Sequence, residues 1–195
     1  MDELNFTRSV LNWYDSGHRD LPWRRTKDAY SIWVSEIMLQ QTRAETVIPY
    51  YERFLSHYPD VYALASAPQE ELLKLWEGLG YYSRARSLQK AAQIIVSQHG
   101  GVLPADAEQL RALPGIGDYT SGAIAAIAFG IPVPAVDGNV ERVICRYFAI
   151  RDEMGSPAAR KRIQQQAQAL VPPDRPGAFA NAMMEMGAVM CTPKS

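Results

Sequence analysis

Apolar residues recur at helical spacing along most of the chain. In ELNFTRSVLNWYDS, Phe6, Val10, Trp13 and Tyr14 share one stripe, and Gly17 marks its end. AYSIWVSEIMLQQ follows, with Asp28 placed to cap it. ETVIPYYERFLSHYPD turns Val47, Tyr50, Tyr51 and Phe54 inward, and Pro49 either bends this helix or starts a second segment. PQEELLKLWEGLGYY packs Leu72, Leu73, Leu75 and Trp76; Pro68 suits its first turn, and Gly78 and Gly80 end it. SRARSLQKAAQIIVSQHGG directs Leu88, Ala91, Ala92 and Ile95 inward and stops at Gly100, while Arg84, Arg86 and Lys90 read as solvated charges. AEQLRAL, the alanine-rich run Tyr119 to Phe129, VERVICRYFAI, SPAARKRIQQQAQALVP and RPGAFANAMMEMGAVMC complete the series. The expectation is an all-α protein of about ten short helices.

Composition narrows the picture. At 195 residues and 47% apolar, the chain can bury a core in one domain or two small lobes. A net charge of −1 gives no bulk support for nucleic-acid binding, so any such affinity must come from local clusters. No apolar run reaches the roughly 18 residues of a membrane span, and no secretory signal begins the chain. Two cysteines, Cys145 and Cys191, make no disulfide framework and favour an intracellular setting.

Four stretches carry candidate chemistry. In LPGIGDYTSGAIAAIAFGIPVPAVDGN, the turn Pro114-Gly115-Ile116-Gly117 joins two helices, and its two glycines open backbone angles closed to other residues. Free N–H groups at the positive end of a helix can hold a phosphate without any lysine. Further on, Asp137 stands just before VERVICRYF, a fixed carboxylate at a helix start. Glu36 has Ile32, Trp33, Leu39 and Gln40 as its helical neighbours and no cation one turn away. A carboxyl there is costly unless paired or protonated, and a raised pKa would let it donate a proton near neutrality. GHRDLPWRRTKD sets Arg19, Arg24, Arg25 and Lys27 around Trp23, a mixture suited to phosphate and base contact. Taken singly, each has a plainer reading: a turn, a helix cap, a carboxyl at the edge of an apolar stripe, a solvated loop anchored by one tryptophan.

Together, the order LPGIG, small-residue helix, VDGNVERV resembles the helix-hairpin-helix DNA glycosylases, the endonuclease III superfamily, over nearly the whole chain. The resemblance implies two helical lobes with a cleft between them: a six-helix barrel with the hairpin over 28–130, and a second lobe from 1–27 and 131–195. LPWR is the family's loop, which puts Arg19, Trp23 and Arg24 near a flipped base. SEIMLQQT is similar to the adenine glycosylases (MutY type), where the matching glutamate is the general acid; that gives Glu36 the role of proton donor. By the same match Gln41 enters the DNA stack, Tyr81 wedges beside the lesion, and Leu113, Gly115 and Gly117 hold the DNA backbone.

Bifunctional members carry a lysine nucleophile where this chain has Tyr119, and VDGN is the adenine-glycosylase form where endonuclease III types have VDTH. The resemblance therefore implies a monofunctional enzyme of base excision repair that hydrolyses adenine from mispairs with 8-oxoguanine or guanine. Asp137 would stay ionised and stabilise the sugar cation, with Tyr119 and Asn139 supporting the sugar and Asp137 by hydrogen bonds. The implied partner is double-stranded DNA with adenine mispairs, with no membrane, and the protein would be a monomer of the cytoplasm, associated with the nucleoid. The alternatives are an endonuclease III-like glycosylase/lyase, which Tyr119 disfavours, and a helix-hairpin-helix DNA-binding module without catalysis.

GAVMCTPKS resembles the start of the family's 4Fe-4S loop, spaced C-x6-C-x2-C-x5-C. Cys191 matches the first ligand and the second would fall at 198, whereas the sequence ends at Ser195. One thiolate cannot hold a cluster. The cofactor of the full-length family is thus expected to be absent from this chain, which reads as a shortened form also lacking the domain that reads oxidised guanine.

Overall fold

Aspartates open helices at four places. Asp28, Asp60, Asp106 and Asp137 each accept a backbone N–H from the first turn of the helix that follows, and Ser156 does the same for Ala159. A side-chain oxygen there satisfies one of the donors that no helix can pair internally. The computed structural model describes residues 3–153 and 155–193, which form eleven α-helices and one 3-10 turn, with no strand among the described residues. No helix among them is long and apolar enough to cross a membrane. Lys194 and Ser195, the end of the cysteine-bearing segment, lie outside the described residues.

The chain divides into two compact units, Asp20–Ile124 and Met1–Arg19 with Ala125–Ser195. In the first, α2 (Ala29–Leu39) is buried along nearly its whole length, from Tyr30 to Met38 with Ser31 partly exposed. A helix that is apolar on every side belongs inside a core. It packs on α3 (Ala44–His57) and α6 (Ser83–His99). Pro49 sits inside α3 without ending it, and Val47, Tyr51 and Phe54 are its buried residues; Tyr50 is only partly buried. Two short helices, α4 (Val61–Ser66) and α5 (Gln69–Leu75), complete the layer around α6. VYALAS is too short to show a period, so α4, capped by Asp60, has no counterpart among the helices expected from the sequence. Then come α7 (Ala107–Arg111), the hairpin turn and α8 (Asp118–Phe129), which runs on past the division between the units.

The second unit builds its core from α1 (Glu3–Ser16), α9 (Gly138–Tyr147), α10 (Pro157–Leu170) and α11 (Pro176–Val189). Phe6, Val10, Val143, Ile144, Ile163 and Met183 are buried together there. Leu11 takes the core place expected of Trp13, which is partly exposed. Thr7 Oγ1 donates to the Leu170 carbonyl at 2.8 Å, tying α1 to the end of α10.

Gly187 lets α11 approach α9. A Cβ on it would stand 2.5 Å from Asn139 Cβ and 2.8 Å from the Asn139 carbonyl oxygen. Backbone cannot yield as a flexible side chain can, so Gly187→Ala is expected to cost about 1–3 kcal/mol of stability. Thermal unfolding checks this; an unchanged midpoint would show that α9 and α11 have slack at this crossing.

Candidate active-site residues

Glu36 lies on α2 with 3% of its surface exposed. Tyr119, in the first turn of α8, donates its phenolic O–H to Glu36 Oε2 at 2.6 Å. The two residues are 83 positions apart and within the same unit. Burial works against the ionised carboxyl, and the tyrosine bond works for it. Next to this pair, Gln40 Nε2 reaches Thr120 Oγ1 at 3.4 Å, so the end of α2 and the start of α8 meet through two polar links.

Gln41 and Tyr81 are both exposed, Tyr81 to 62%. They are two of the three non-glycine residues with positive φ among the described residues, at 58° and 47°. Such a backbone costs of order 1–3 kcal/mol per residue and persists only where its surroundings hold it. The holder is Arg84, which is 8% exposed rather than solvated as its place in an amphipathic pattern suggests. Burial pulls its guanidinium below the usual pKa. Nη1 donates to the carbonyls of Ile37, Met38 and Gln40, and Nη2 to those of Leu79 and Gly80. The first three lie at the C-terminal end of α2, where carbonyls lack helical partners and a cation is favoured.

Trp23, in the 3-10 turn Pro22–Arg24, is buried edge-on against Tyr51, with ring centroids 5.5 Å apart. It anchors its loop, and Arg24 beside it is partly exposed. In the hairpin, Leu113 and Ile116 are buried and pin the turn. Gly115 has φ +80°, and a Cβ on it would stand 2.8 Å from Ser87 Cβ, so both conformation and space demand glycine. Gly117 has no left-handed φ, and a Cβ there would meet nothing within 4 Å. The expectation that both glycines use special backbone angles therefore holds for Gly115 only.

In the other unit, Asp137 caps α9. Its Oδ1 accepts from the backbone N–H of Asn139 (3.0 Å) and Val140 (2.8 Å), and its Oδ2 from the Asn139 side-chain amide (2.8 Å). Arg142 sets that amide: Nη2 donates to Asn139 Oδ1 at 2.8 Å, leaving Nδ2 to face the carboxyl. The same guanidinium donates to the carbonyls of Gly187 and Cys191, both at 2.6 Å. Arg19 forms a fork on Glu185, 2.9 Å from Nε to Oε1 and from Nη2 to Oε2. Glu185 is 1% exposed and also accepts the Arg19 backbone N–H.

Arg84, Arg142 and Glu185 escape sequence reasoning, because a charge on a helix reads as solvated unless its distant partner is known. Cys191 is partly buried, and its sulfur accepts from Arg146 Nη1 at 3.3 Å. A 4Fe-4S cluster takes four thiolates, whereas the sequence holds two cysteines. No group of three or more His, Cys, Asp or Glu among the described residues is placed to hold a metal ion. These donors do not fit the cluster.

The profile of HhH-GPD superfamily base excision DNA repair proteins matches residues 34–173. The adenine DNA glycosylase of Homo sapiens is 50% identical over 97% of this chain and 36% of its own length. That of Mycolicibacterium smegmatis is 43% identical over 95% of this chain and 63% of its own. The chain thus spans 36% to 39% of the length of the human, rat and mouse relatives. Among solved structures, a thermostable thymine-DNA glycosylase superposes with a TM-score of 0.91 at 31% identity, over 99% of this chain and 89% of that one. A non-covalent endonuclease III–DNA complex superposes at 0.83 and 22% identity, over 100% and 90%, a likeness of fold. With its all-helical architecture, its hairpin and a family match over most of its length, the chain belongs to the HhH-GPD superfamily of base excision DNA repair proteins.

Proposed function

We propose that this chain carries the catalytic machinery of a monofunctional adenine DNA glycosylase, acting on adenine opposite 8-oxoguanine or guanine. The observation that carries the reading is the buried carboxyl of Glu36, held by a hydrogen bond from the partly buried Tyr119. A protonated Glu36 donates to a ring nitrogen of the extruded adenine. The glycosidic bond breaks with its electron pair leaving on the base, and the sugar becomes an oxocarbenium ion. Asp137 stabilises that cation. Water adds to the sugar carbon and loses a proton, and one proton returns to the Glu36 carboxylate, so the products are adenine and an abasic site.

The hydrogen bond from Tyr119 fixes the acid, and α8 has no lysine to form a Schiff base. The hairpin and the first turn of α8 take the DNA phosphates, with Leu113, Gly115 and Gly117 shaping the turn. The open space over Gly117 suits close approach of a DNA strand. Gln41 and Tyr81 enter the duplex and offset the few kcal/mol of base extrusion. Arg19, Trp23 and Arg24 border the base. We place the protein, as a monomer, in the cytoplasm on nucleoid DNA.

The test is a cleavage assay on duplexes with adenine opposite guanine or 8-oxoguanine. Strand breaks are expected only after added alkali, and borohydride is expected to trap no adduct. Breaks without alkali together with an efficient covalent adduct would favour the glycosylase/lyase. Tight binding with no base release would favour the binding module.

A further inference from the structure

Within the Asp20–Ile124 unit two exposed side chains, Gln41 and Tyr81, stand on left-handed backbone, and one buried guanidinium joins the turns that carry them. We infer that Arg84 is a positioning residue that locks Gln41 and Tyr81 into one rigid two-pronged wedge for base extrusion. This rests on the DNA-glycosylase reading above. Nη1 takes the Gln40 carbonyl at 2.6 Å, one residue before Gln41. Nη2 takes the Gly80 carbonyl at 3.2 Å, one residue before Tyr81, and the Leu79 carbonyl at 3.0 Å. The guanidinium carbon lies 5.6 Å from the Tyr81 ring centroid and 5.5 Å from that of Trp76. Nη1 therefore serves the turn of Gln41, while Nη2 serves the turn of Tyr81 and also reaches Thr42 Oγ1 at 3.4 Å, so the planar fork ties the two turns together.

The geometry is held by shape as much as by charge. Lysine keeps the charge but has a single nitrogen, so it cannot span two turns at a set separation. Arg84 Nε is buried with no hydrogen-bond partner, so the group is not optimised for its own solvation. A cation beside the start of α6, its own helix, is also in the wrong place for that helix dipole. The arginine is placed for the two turns, both of which lie within the Asp20–Ile124 unit.

The test compares wild type, Arg84→Lys and Arg84→Met, each with and without Gln41→Ala plus Tyr81→Ala. The readouts are single-turnover adenine release and the fluorescence of 2-aminopurine, which rises on unstacking. Arg84→Lys is expected to slow release about 100-fold, the cost of a misplaced positioning group, with a matching loss of unstacking amplitude. In the background lacking both wedge side chains, the same change is expected to cost less than about threefold, because the effects share one route. Full additivity, or normal unstacking in Arg84→Lys, would overturn the inference.

Should neither Arg84 variant fold, spin labels at 41 and 81 decide, in a chain whose two native cysteines are serine. One narrow inter-label distance supports the lock, and broad independent distributions overturn it. If wild type releases no adenine, the glycosylase reading fails, while unstacking and the label distances still judge Arg84.

Discussion

Glu36→Gln is expected to lower adenine release by about 10³-fold in single turnover, within the range that a positioned general acid supplies. That factor corresponds to roughly 4 kcal/mol of barrier. The substitution is close to isosteric, and the glutamine side-chain oxygen can still accept from Tyr119, so the link between α2 and α8 survives. What is lost is the transferable proton. Without it the departing adenine must leave as an anion. Glu36 is 3% exposed and one of its carboxyl oxygens accepts from Tyr119, so the acid is held in one place out of bulk water. Binding to mispaired duplex is expected to stay within about threefold of wild type, since a buried acid adds little to phosphate contact. Adenine release at near-normal rate in Glu36→Gln would remove this carboxyl from the chemistry.

Much of this architecture is legible from local rules. The helices follow their apolar periods, Gly100 ends α6 in a left-handed cap as its position suggests, and Asp28 and Asp137 cap the helices they precede. These features depend on residues within a turn or two of one another. The failures have a common cause. Arg84 is one charge among several on α6, and its carbonyl partners on α2 lie more than 40 positions away in sequence. Glu185 sits in a run of methionines and alanines, and its partner Arg19 is 166 positions distant. Tyr119 is conspicuous as the residue standing where lyases have lysine, yet nothing in the sequence points its hydroxyl at Glu36. Periodicity tells which face is buried. It does not tell that a buried cation will find the end of another helix, because that depends on how the turns fold back.

Asp137→Asn separates the structural use of this side chain from its chemical one. As a helix cap, asparagine is nearly the equal of aspartate, and its oxygen can still take the backbone N–H groups of Asn139 and Val140. The cap itself would then lose no more than about 1 kcal/mol, and with the donor left unpaired at the second oxygen the total loss of stability is expected to be about 1–3 kcal/mol, as read by thermal unfolding. The second oxygen is different. It accepts from Asn139 Nδ2 at 2.8 Å, and an amide nitrogen in its place would set donor against donor. Asn139 cannot turn over to accommodate it without breaking its bond from Arg142 at 2.8 Å. Catalysis suffers more than folding does, because the negative charge that opposes the sugar cation is gone; release is expected to fall about 10²–10³-fold, the scale of losing one electrostatic stabiliser. A cationic sugar mimic gives a second reading that does not depend on turnover. Wild type is expected to bind duplex containing a pyrrolidine abasic analogue more tightly than its uncharged tetrahydrofuran counterpart, as enzymes bind mimics of the charged transition state. Asp137→Asn is expected to lose that preference. If the variant keeps both the preference and the rate, Asp137 is a helix cap and nothing more, and the positive sugar must be stabilised by some other group.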